Sequence, residues 1–117
     1  MKTPIFPMVY EINSGSIPAT TGTTSVTQVF SSTKDFKLNL IRATGGSGIK
    51  VQIAEVSGRT YSNVPITTAN IGNNQNNGVP MFDNVIIPRG TQLVFNFSNT
   101  SGGALTEVLQ LWGVEID

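Results

Sequence analysis

In DFKLNLIRA, residues 35–43, apolar and polar side chains alternate. Phe36, Leu38 and Leu40 fall on one face, and Lys37 and Asn39 on the other. A period of two belongs to a half-buried strand, because successive side chains of extended backbone point to opposite sides. GIKVQIAEV, residues 48–56, repeats the pattern, with Ile49, Val51 and Ile53 inward and Lys50 and Gln52 outward. Between them ATGGSG, residues 43–48, supplies glycines suited to a tight reversal, so the two strands are expected to pair as an antiparallel hairpin. No stretch keeps apolar residues at i, i+3, i+4 and i+7 free of Gly, Pro or β-branched interruption, so no helix is expected.

TQLVFNFSN, residues 91–99, points Leu93, Phe95 and Phe97 one way and Gln92, Val94, Asn96 and Ser98 the other. TSGGA then turns the chain into LTEVLQLWGVEI, residues 105–116, where the alternation fails. Leu105, Leu109 and Leu111 share a side with Glu107, while Val108, Trp112, Val114 and Ile116 share the other with Gln110. A strand apolar on both sides is expected to be covered on both, by a second layer or by a neighbouring subunit, and Gly113 is expected to mark a bulge. FPMVYEIN, TTSVTQVFSS, RTYSNVPI and MFDNVIIP are weaker strand candidates, with Pro7, Pro65 and Pro88 confined to edges or strand ends. About eight short strands punctuated by Gly, Pro and Asn predict a single antiparallel β-sandwich. The polar stretch SGSIPATTGTTS, residues 14–25, reads as a linker. Residues 1–22 are therefore expected to be an extended N-terminal arm with its linker, and 23–117 the sandwich domain.

A chain of 117 residues holds one domain, and a hydrophobic share of 38% suffices for its core. Charged residues make up only 12%, and the seven basic and seven acidic side chains cancel. Without clustered Lys and Arg, neither nucleic acid nor an anionic membrane is an expected partner. Net neutrality also removes the repulsion that keeps small domains apart, which favours association. At the N-terminus Pro4 and Pro7 break the apolar run and Glu11 follows, unlike a secretory signal, so an unprocessed N-terminus is expected.

The chain has neither Cys nor His. A serine triad would lack its usual base, and no G-x-S-x-G turn is present. Glu11, Asp35, Glu55, Asp83, Glu107, Glu115 and Asp117 are scattered, and each reads as a solvated strand or loop residue rather than half of a glycosidase pair. The loops are rich in Asn rather than in the Asp that calcium sites favour. No catalytic residue, cofactor or metal is expected. The sequons at Asn96 and Asn99 read as chance matches in an Asn-rich chain.

The remaining candidates are contact residues. GNNQNNG, residues 72–78, offers Asn73, Asn74, Asn76 and Asn77, amides that both donate and accept and so suit an uncharged assembly surface. Arg59 and Tyr61 form a second candidate contact, and Tyr10 and the single Trp112 are aromatic candidates for an interface.

The succession DFKLNLIRA, VQIAEVSGRTYSNVPI, NVIIPRGTQLVFNFSNTSGG and VLQLWGVEI resembles the small β-sandwich structural proteins of tailed-phage virions, over residues 34–117. The shared layout is an arm, an F-x-L strand, a G-R-x-x-S-N-x-P-I turn, a P-x-G-x-x-L strand and a closing L-x-G strand. The resemblance implies a jelly-roll-like fold and a non-enzymatic minor capsid, decoration or head-to-tail component. Such a subunit is made in the host cytoplasm, resides in the virion, and associates with itself or with a major capsid protein. The alternative expectation is a carbohydrate-binding or receptor-binding module that reads a glycan through Trp112 or Tyr61.

Overall fold

Among the described residues, eight strands carry the chain: β1 (Pro4–Asn13), β2 (Thr23–Val29), β3 (Asp35–Ala43), β4 (Ile49–Glu55), β5 (Ile66–Thr67), β6 (Val85–Ile87), β7 (Gln92–Asn99) and β8 (Val108–Ile116). The structure, a computed structural model, describes residues 4–43, 48–58, 66–67 and 85–116. The strands form two antiparallel sheets, ordered β1-β8-β3-β6 and β2-β7-β4-β5. Within them the pairs β1·β8, β2·β7, β3·β6 and β4·β5 are nested, so the chain is a long ribbon folded back on itself at its middle. Rolling that ribbon up adds the pairs β3·β8 and β4·β7. This is the jelly-roll order, and it makes the protein an all-β sandwich.

The connections keep the ribbon zipped where it crosses between sheets. Between β1·β8 and β2·β7, Ile17 and Leu105 exchange backbone hydrogen bonds of 2.7 and 3.1 Å, and Thr20 N–H donates to Ser101 at 2.8 Å. Between β2·β7 and β3·β6, Phe30 N–H donates to Thr91 at 3.0 Å and Gly90 N–H to Ser31 at 2.7 Å. Gly90 takes a φ of 78° at the third position of the Pro88–Thr91 turn, a conformation that favours glycine. Buried backbone groups thus find partners even where no strand is formed.

One core fills the space between the sheets. Ile12, Phe36, Leu38, Ile41, Leu109 and Leu111 come from one sheet, and Ile49, Val51, Ile53, Leu93, Phe95 and Phe97 from the other. Burial of each such side chain contributes roughly 1.5–3 kcal/mol.

Four expectations are corrected. The first is the hairpin: β3 and β4 lie in different sheets, and β4 instead pairs along its whole length with β7, from Ile49↔Asn99 to Glu55↔Leu93. A Gly-rich connection serves a crossing between sheets as readily as a tight turn, and the crossing places both apolar rows in one core. The second is the arm. Residues 4–13 are edge strand β1, paired with β8 from Pro4↔Ile116 to Asn13↔Val108, and the linker is held by the bonds of Ile17 and Thr20. Residues 4–22 therefore belong to the sandwich. Pro7 sits in this edge strand, where a missing donor is tolerated.

The third concerns Leu40. Leu38 pairs with Gly113 and Leu40 with Trp112, so Asn39 is an extra residue and β3 is bulged there. The alternation breaks at that point, and Ile41 is buried while Leu40 is only half-buried. The bulge lies on the strand opposite Gly113 rather than on β8 itself. The fourth is the acids: Asp35, Glu107 and Glu115 are buried rather than solvated. Asp35 Oδ1 accepts from the Arg89 backbone N–H at 2.9 Å and from its Nε at 3.2 Å, which pins the β6–β7 turn to the start of β3.

Candidate functional site

The two sheets present different outer faces. On β2-β7-β4 the outward side chains are mainly hydroxyls and amides with one cation, Thr23, Ser25, Thr27, Asn96, Ser98, Gln52 and Lys50, with the smaller apolar side chains of Val29, Val94 and Ala54 at one end. Ser25 Oγ donates to Asn96 Oδ1 at 2.6 Å, beside a shallow depression of about 310 Å³ lined by Thr23, Ser25, Gln52, Asn96 and Ser98. This face holds what the period of two puts outward and carries no large aromatic side chain.

The outer face of β1-β8-β3-β6 is arranged in three rows running across the strands. A polar row reads Glu11, Gln110, Arg42; the next reads Val9, Trp112, Leu40; the third reads Pro7, Val114, Lys37, Ile86. Trp112 and Val9 are each 40% exposed and Ile86 43%. A lone exposed apolar side chain is ordinary, but neighbours from four strands form a patch of the kind that marks an interaction surface. Trp112 Nε1 donates to Gln110 Oε1 at 3.2 Å, so the indole is tethered beside the polar row.

Local sequence explains how the patch arises. The extra residue at Asn39 turns Leu40 outward beside Trp112. Gly113 leaves a gap on the inner side, and the Phe36 ring fills it: a Cβ at Gly113 would lie 2.8 Å from Phe36 Cζ and overlap the Lys37 carbonyl oxygen. Phe36 packs edge-on against Tyr10 at 5.1 Å between ring centroids, and Tyr10 lies 4.5 Å from Phe30. This aromatic floor supports the sheet beneath Trp112. Burial raises the Tyr10 pKa above its ordinary 10.0, the Glu115 carboxylate raises it further, and a backbone hydrogen bond at Ser31 acts against both.

Of the contact residues expected from sequence, Trp112 is on the outer face and Tyr10 is not. Tyr10 pairs with Leu111 and turns toward the core, on the opposite side of β1 from Val9. It is therefore corrected from interface to core packing. Arg59, Tyr61, Asn73, Asn74, Asn76 and Asn77 lie outside the described residues. Val9, Leu40 and Ile86 were not legible as contact residues. The only sequence signal for the patch was the two-sided apolar pattern of β8, whose inner side carries Leu109 and Leu111 and whose outer side carries Trp112 and Val114.

The sequon asparagines differ in the same way. Asn96 is exposed, whereas Asn99 is fully buried and its amide donates to Ile17 O at 3.0 Å and Gly103 O at 2.9 Å. Compared with models of known protein families, with curated proteins and with solved structures, the chain matches none.

Proposed function

We propose that the protein is a non-enzymatic assembly subunit that docks through the outer face of β1-β8-β3-β6, and that its setting is a tailed-phage virion, as a minor capsid or decoration component. The observation that carries the assembly reading is Trp112, exposed between Val9 and Leu40 on the outer face of the sheet. Support for the virion setting comes from the sequence resemblance and from the jelly-roll order, an architecture that virion proteins share with lectins and cupins. The chain's zero net charge lowers the barrier to close packing of copies or partners.

The test is co-sedimentation of the purified protein with phage particles, together with its native mass by light scattering, for the wild type and for Trp112→Ser. Binding or self-association that Trp112→Ser abolishes is the expected result. A wild type that stays monomeric and binds no particle removes the proposal.

A second reading is a glycan-binding module, favoured by the same exposed indole, since an aromatic face beside the Gln110 amide suits a sugar ring. A glycan array separates the two. Hits lost in Trp112→Ser support sugar binding, and a blank array removes it.

A further inference from the structure

We infer that the partner covering the Trp112 face is a second copy of this chain, related by a two-fold axis that runs along β8. The inference deepens the assembly reading above and rests on it. Its basis is the symmetry of the three rows about β8. β1 and β3 flank that strand, so Glu11 and Arg42 stand on either side of Gln110, and Val9 and Leu40 on either side of Trp112.

A two-fold axis along β8 exchanges the two flanks. The partner's β1 then lies over this copy's β3, and its β3 over this copy's β1. Each Glu11 faces the other copy's Arg42, twice over, and each Val9 faces the other copy's Leu40. The two indoles meet on the axis. This is the self-complementarity that an isologous interface requires. An axis across the strands, through the row of Trp112, instead lays Arg42 over Lys37, two like charges. Charge thus selects one orientation. Aligned packing of two sheets, within about 30°, is also a common arrangement for such faces.

Size indicates the strength. Three strands, β1, β8 and β3, spaced about 4.8 Å apart and nine or ten residues long, at about 3.3 Å per residue, give a mutually covered face on the order of 400 Å² per copy. That is the low end for a specific interface, so a dimer that dissociates on dilution is expected. Multiple weak contacts of this kind suffice within a larger assembly.

The single tryptophan makes the event visible. Sedimentation and Trp112 emission are measured across a concentration series for the wild type, Glu11→Arg, Arg42→Glu, and an equimolar mixture of the two variants. Glu11 and Arg42 are exposed, so the fold tolerates both changes. The wild type should dimerise, with emission shifting to the blue as the indole is buried. Each single variant opposes like charges and should weaken the dimer at least tenfold. The mixture should restore it, because one variant carries two cations where the other carries two anions. Higher salt should flatten these differences.

A monomer at every concentration overturns the inference, and so does a dimer indifferent to the two variants and their mixture. Neither result by itself removes the assembly reading. For the monomer, particle co-sedimentation that depends on Trp112 would keep it and its absence would remove it as well; for the indifferent dimer, dissociation by Trp112→Ser would keep it.

Discussion

The side-chain amide of Asn99 donates to the backbone carbonyl of Ile17 at 3.0 Å, joining residues 82 apart in the chain. The same amide donates to Gly103 O at 2.9 Å, and its oxygen accepts from Ser101 N–H at 2.8 Å. One buried side chain therefore ties the end of β7 and the loop after it to the β1–β2 connection. Replacement by Ala removes all three bonds, at about 1 kcal/mol each; Ile17 O keeps the Leu105 N–H and Gly103 O keeps the Ser101 hydroxyl, so the Ser101 N–H is the group left to find another partner. Asn99→Ala should lower stability by about 3 kcal/mol, read as a fall of about 10 °C in Tm. A change below about 2 °C would mean that water replaces the amide and the clasp is dispensable.

Thr24 faces the core from β2, opposite Phe97, and its hydroxyl oxygen is buried with no hydrogen-bond partner. Thr24→Val keeps the shape and the β-branching while removing the unsatisfied group. The variant should gain about 1 kcal/mol, measured as a higher urea midpoint at unchanged slope. A lower midpoint would show that the hydroxyl is hydrogen-bonded in solution.

At Gly113 there is no room for a methyl group, since a Cβ would overlap the Lys37 carbonyl of β3 and press on the Phe36 ring. Gly113→Ala must push β3 away from β8 or displace the ring, and should cost about 3 kcal/mol. A smaller side chain at position 36 relieves only the ring contact. Phe36→Leu should therefore not rescue Gly113→Ala, and a rescue would show that the backbone overlap is easily relaxed.

Burial, reinforced by the Glu115 carboxylate, keeps the Tyr10 phenol protonated to higher pH than in the unfolded chain. The folded-state pKa is raised, so this contribution to stability is full below about pH 10 and is lost as pH rises through the folded value. Urea midpoints of the wild type and Tyr10→Phe should differ by a constant amount below pH 10. Above it the wild type should lose stability faster. A difference that stays constant to pH 11.5 would mean that Tyr10 ionises without penalty.

Much of this fold was legible from the residues. The alternation in β4 and β7 marked Ile49, Val51, Ile53, Leu93, Phe95 and Phe97 as buried, and all six are. The prolines of the described strands lie where a missing donor is tolerated, Pro7 in an edge strand and Pro88 just past β6. Of the candidate site, only Trp112 and the two-sided character of β8 could be read. Val9 and Leu40 gain meaning only when β1 and β3 are seen to flank β8.

By itself the sequence determined that the chain is all-β, which side of most strands is apolar, and that its surface carries almost no net charge. Those properties are local or additive, because a side chain's direction on extended backbone depends on its immediate neighbours. The tertiary structure alone decided that β3 leaves β4 for β8, that residues 4–13 form an edge strand, that Asn39 bulges and sends Leu40 outward, and that Asp35, Glu107 and Glu115 are buried. Strand pairing joins segments far apart in the chain, and its register is set where two apolar faces must close on one core. A turn motif such as ATGGSG has no information about which sheet the next strand will join.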